Sequence, residues 1–194
     1  NLLVQRELQA LDEVVADSGL LLESGVGLYN VIVVTLQRLP QLSEWTGQLR
    51  GLGAGMLARQ AFEPQDKARV ALTLTNTQDA MAAVLTQLHR ATQADPAIAR
   101  ALAPLLQKAQ SSWEGAARAT QKHLVDAEAP ATPGSAYFAT LTEAVDAQQT
   151  LSTAAVELLS AERTHRVSAT SWKLGAAVVA GLLLSATCVV LMLT

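Results

Sequence analysis

The sequence predicts an all-helical protein: an antiparallel four-helix bundle whose last helix continues into a transmembrane helix. Three observations carry this. Half of the 194 residues are hydrophobic but only 4% are aromatic, and alanine, leucine, glutamine and threonine dominate, with few stretches that combine strand-forming residues and turn signals. Apolar residues recur at alternating spacings of three and four through most of the chain. The stretch 174–194, LGAAVVAGLLLSATCVVLMLT, carries no charge. At about 1.5 Å per residue, roughly 20 such residues cross a hydrocarbon core of about 30 Å.

The elements follow in order. In residues 1–16, Leu3, Val4, Leu8, Leu11 and Val15 have helical spacing, and Asp17-Ser18-Gly19 reads as a break. Ser24, Gly25 and Gly27 punctuate the backbone before a helical run from Leu28 to Leu39 that is expected to end at Pro40. Val31 to Val34 have strand propensity but no hairpin partner, and their neighbours are helical, so they read as buried helix. Pro40 suits a first helical turn. The helix it opens, to residue 62, shows a seam of Leu42, Trp45, Leu49, Leu52 and Met56. Gly47, Gly51 and Gly55 run beside that seam four apart, with Gly53 nearby. Each interior glycine costs about 0.8–1 kcal/mol relative to alanine, so several together are expected where a neighbouring backbone comes close.

Glu63-Pro64 starts the next helix, to Ala94, with Val70, Leu74, Thr77, Met81, Val84 and Leu88 as its seam. Asp95-Pro96 is a restart, an aspartate N-cap followed by proline in the first turn. The helix that follows, to Asp126, has a seam of Leu102, Leu105 or Leu106, Ala109, Trp113, Ala116 and Leu124, and Pro104 is expected to bend or divide it. AEAPATPG, 127–134, is the long loop signal. Ser135 is expected to cap the final helix, with Tyr137, Phe138, Leu141 and Val145 packing near the loop. Short connections force antiparallel neighbours, which gives four columns: 1–62 with a break near 17–26, 64–94, 96–126 and 135–168.

The last column leads towards the apolar stretch, at whose entrance Trp172 and Lys173 suit the headgroup zone. Residues 1–171 therefore form one helical domain and 172–194 a transmembrane helix set in membrane lipid. Within it Ala177, Gly181 and Ser185 form a small-residue stripe that allows close helix contact, and a homodimer is expected with this stripe at the interface. The chain begins at Asn1 without Met and reads as a piece of a longer protein.

Several classes of function are excluded. The net charge is −3 and basic residues are scattered, which gives nucleic-acid binding no electrostatic support. The single cysteine, Cys188, allows no intrachain disulfide. His89, His123 and His165 fall on three separate helices without metal-ligand spacing. No G-x-S-x-G or S-x-x-K arrangement occurs, and GLGAG at 51–55 lies inside a helical seam without the lysine of a phosphate-binding loop. Neither an enzyme nor a cofactor is expected. Arg38, Trp45 and Arg50 are the candidate ligand residues: an arginine fork suits a carboxylate or other small anion, and an indole supplies an apolar wall.

The order DSGLLL at 17–22, Tyr29, then LPQLSEWTGQLRGLGAGMLARQ at 39–60 resembles the extracytoplasmic sensory region of bacterial methyl-accepting chemotaxis proteins. SAYFATLTEAVDAQQTL at 135–151 is similar to the start of their helix returning to the membrane. Many such sequences have Asp-Pro after the SGL stretch, where this chain has Glu23-Ser24. The resemblance implies a homodimer in the bacterial inner membrane, with residues 1–171 periplasmic and HAMP and signalling modules inside the cell. Input would come from a small molecule or a periplasmic binding protein, relayed by movement of the last helix. Glu162, Arg163, His165, Arg166 and Lys173 put a net positive cluster before the apolar stretch, which the positive-inside rule would place in the cytoplasm. The resemblance places it outside, and that orientation is adopted. The alternatives are the sensory region of a transmembrane histidine kinase and a non-signalling, membrane-anchored helical interaction protein.

Overall fold

A computed structural model describes residues 25–60 and 62–161. Among them there is no strand, and helices account for all but short connections. The chain divides into two compact units, Asn1–Val156 and Glu157–Thr194. Four helical columns lie in the first, and residues 157–161 of the second are also helical. The first column comprises α1 (Val26–Val33), a π turn (Val34–Arg38) and α2 (Leu39–Arg59). The second is α3 (Pro64–Ala94). The third is α4 (Pro96–Thr120) followed by a second π turn (Gln121–Val125). The fourth, α5, spans 134–156 of this unit.

Contacts between columns fix their directions. Thr46 meets Gln148, Arg50 meets Thr142 and Gly53 lies under Tyr137, so α2 and α5 are antiparallel. Gly27 sits against Ala91, and Arg59 pairs with Asp66, so the first and second columns are antiparallel too. Gly27 also faces Ile98 and Gly53 faces Leu124, so the first and third run parallel, as diagonal columns of an up-down arrangement must.

The seam of α3 is as read from its spacing: Val70, Leu74, Thr77, Met81, Val84 and Leu88 are all buried. Val31 to Val34 are buried helix and π turn, not strand. In α4, Leu102, Leu106, Ala109, Trp113 and Ala116 are buried, and Leu106 takes the seam position shared in expectation with Leu105. Asp95 is the hinge between α3 and α4. It closes one helix by donating its N–H to Ala91 O, and caps the next by accepting the Ala97 N–H at 2.7 Å. Buried threonines stay satisfied within helices because Thr35, Thr46, Thr77 and Thr120 each donate to the carbonyl four residues back.

Several expectations are corrected. The first column does not end at Pro40 but runs through it. Leu39 N–H donates to Val34 O, five residues back, and this widened turn accommodates a proline that has no N–H and would crowd the preceding turn. Pro104 does not divide α4. Arg100, four residues earlier, is exposed like Pro104, so the carbonyl that lacks a helical donor faces water. Ser135 is not the cap of α5: the Pro133 carbonyl accepts the Tyr137 N–H and Ser135 falls in the first turn.

The seam of α2 is Leu39, Leu42, Thr46, Leu49, Gly53 and Met56, while Trp45 and Leu52 are half-buried on its flank. A β-carbon added at Gly47, Gly51 or Gly55 would meet nothing within 4 Å. The close approaches are elsewhere. At Gly53 an added β-carbon would collide with the Tyr137 ring and with Leu124, and at Gly134 it would lie 3.2 Å from the Ala54 carbonyl oxygen. The expected membrane features Trp172, Lys173, Ala177, Gly181 and Ser185, and the 171/172 boundary, lie outside the described residues. Among the described residues no helix is long and apolar enough to cross a membrane.

Candidate functional site

The face shared by α2 and α5 holds most of the long-range polar contacts. At its buried level, the Gln148 amide donates to Thr46 Oγ1 at 3.1 Å, and the Thr46 hydroxyl donates to Leu42 O at 2.8 Å. Tyr137, 1% exposed, donates its hydroxyl to Leu49 O at 3.3 Å and lies 3.1 Å from Thr120 Oγ1. One phenol thus ties the first, third and fourth columns together, over Gly53, where an added β-carbon would collide with its ring. Burial pushes its pKa up to about 12, against a smaller lowering by the Thr120 hydroxyl.

At the rim of this face Arg50 donates from Nη1 to Thr142 Oγ1 at 3.1 Å, and Thr142 in turn donates to Phe138 O at 2.8 Å. The Arg50 guanidinium carbon lies 4.7 Å from the centroid of the Phe138 ring, a cation–π geometry. Among the described residues Arg50 pairs with no carboxylate, so part of its five-donor fork is uncommitted. Phe138 is 45% exposed. It also lines a cleft of about 540 Å³ with Ala54, Leu57, Ala58, Gln60, Gly134 and Ser135. That volume falls in the range of small-molecule pockets, which combine apolar walls with a few convergent polar groups.

Arg38, Trp45 and Arg50 are not brought to one place. Five residues along a helix are about 140° around it, so Trp45 and Arg50 point to different flanks of α2. Trp45 shares its flank with Arg59, whose partner Asp66 is on α3, and Arg38 lies two turns before Trp45 on that same flank. Arg50 faces α5. Phe138 and Thr142 are not among the site residues that the sequence points to. Their weak signal is a four-residue spacing in SAYFATLT, which places both on one helical face. Among the described residues no three side chains come together as a metal site. No protein-family model, curated protein or solved structure matches this chain.

Proposed function

We propose that residues 1–171 are the extracytoplasmic ligand-input domain of a bacterial chemoreceptor-type sensor, and that 172–194 is its transmembrane helix. In this reading the protein is a homodimer in the inner membrane, and movement of its last helix carries the signal. The four antiparallel columns, the uncharged stretch at 174–194 and the sequence resemblance support it. The observation that carries it is the Arg50–Phe138–Thr142 joint between α2 and α5, of which Phe138 also lines an apolar cleft.

The joint offers a route from binding to motion. A small organic anion in the cleft takes hydrogen bonds from the Arg50 fork and lays its apolar part on Phe138. It binds the uncommitted part of the fork and reorients the guanidinium that Thr142 and Phe138 hold, so the liganded state has a different α2–α5 link from the free state. Such a difference in contacts is what lets a ligand bias one packing over another. Isothermal titration of acetate, succinate and benzoate into the chain tests the site. Arg50→Ala should weaken whichever anion binds by at least tenfold, while Trp45→Ala, on the other flank, leaves it unchanged. Equal binding by the Arg50 variant would refute the site.

A further inference from the structure

Among the described residues three buried side-chain atoms outside this cleft lack hydrogen-bond partners: Arg38 Nε, Gln87 Oε1 and, on α5, Gln148 Oε1; the first two are complementary and face one seam. Arg38 Nε, at the end of the first π turn, is a donor without an acceptor, and Gln87 Oε1, on α3, is an acceptor without a donor. The π turn packs against α3. Their levels can be read from the Arg59–Asp66 pair, which joins the same two columns. A step of seven residues returns to the same flank of a packed helix two turns on. Three such steps back along the first column lead from Arg59 through Leu52 and Trp45 to Arg38. Three steps forward along α3 lead from Asp66 through Thr73 and Ala80 to Gln87. Because the columns are antiparallel, the two walks advance together and bring Arg38 and Gln87 to one level of one seam.

A buried donor and a buried acceptor at the same level, each without a partner, are each other's natural complement. We propose that Arg38 and Gln87 form a latch across this seam, closed in a second packing in which Arg38 Nε–H donates to Gln87 Oε1. The packing described above is the open form. Arg38 ends the widened turn that admits Pro40, the irregular point of the column. The latch goes beyond the sensory reading and does not depend on the proposed anion site at Arg50.

The test replaces each side chain by an apolar one of similar length in the full chain: Arg38→Met, Gln87→Leu, and both together. A latch that closes makes each single variant less stable, because the bond is lost and the remaining group is stranded. Tm should fall by roughly 2–8 °C in each, and the double variant should regain most of the loss. If the single variants melt at or above the parent temperature, or if their effects simply add in the double variant, the two atoms do not meet and the proposal is overturned. Gln87→Glu gives a second measurement. A carboxylate opposite Arg38 should raise Tm and slow exchange of the Arg38 Nε–H with solvent at least tenfold. A lower Tm with unchanged exchange would overturn the latch.

Discussion

At the residue scale, Tyr137 joins three columns through one hydroxyl, and its titration measures that junction. Its phenol stays protonated in the fold up to about pH 12 because burial penalises the phenolate. In the unfolded chain it ionises near pH 10. Between these values the native state holds a proton that the unfolded state has lost, so stability falls as pH rises. The contribution is fully present below about pH 10 and is lost towards pH 12, roughly 2–3 kcal/mol in all. Urea unfolding at pH 9 and pH 12 should show this loss in the parent, and a smaller loss in Tyr137→Phe. An equal loss in both would mean that other groups control alkaline unfolding.

At the scale of the element, α2 shows what spacing reveals and what it hides. The α3 seam was legible because each of its positions is a recognisable apolar or threonine residue at three–four spacing. In α2 the large apolar side chains Trp45 and Leu52 imitate the seam, while Thr46 and Gly53 occupy it. Those two are small because Gln148 and Tyr137 enter from α5, and a partner about 90 residues away leaves no local mark. The π turns were hidden for a related reason. One extra residue appears only as the eight-residue step from Ala116 to Leu124, where two regular turns would take seven. The open glycines of α2 give the prediction at this scale. Gly47→Ala, Gly51→Ala and Gly55→Ala meet no obstacle and should each stabilise by about 0.5–1 kcal/mol. Gly53→Ala forces its methyl into Tyr137 and Leu124 and should cost about 1–3 kcal/mol. Urea midpoints of the four variants check the contrast, and destabilisation by all four would mean that the outer face of α2 is also packed.

At the scale of the molecule, the candidate site was half legible. Arg50 was visible as an arginine in the densest apolar and glycine stretch, but its partners Thr142 and Phe138 come from the far end of the chain. The site therefore links the helix that holds the arginine to α5, and in the proposed reading the stretch 174–194 beyond it decides whether the link has an output. In the proposed homodimer, the small residues Ala177, Gly181 and Ser185 would let two copies of the proposed apolar helix approach closely. Single cysteines placed in turn along 174–194, after Cys188→Ser, should form disulfides most readily at positions 177, 181 and 185 and least readily about half a turn away. Saturating the proposed site at Arg50 and Phe138 with an anion found by titration should change the relative rates along that face, because a relay alters the helix it acts on. A flat profile would count against the dimer. A periodic profile that ligand leaves unchanged would keep the dimer and remove the relay.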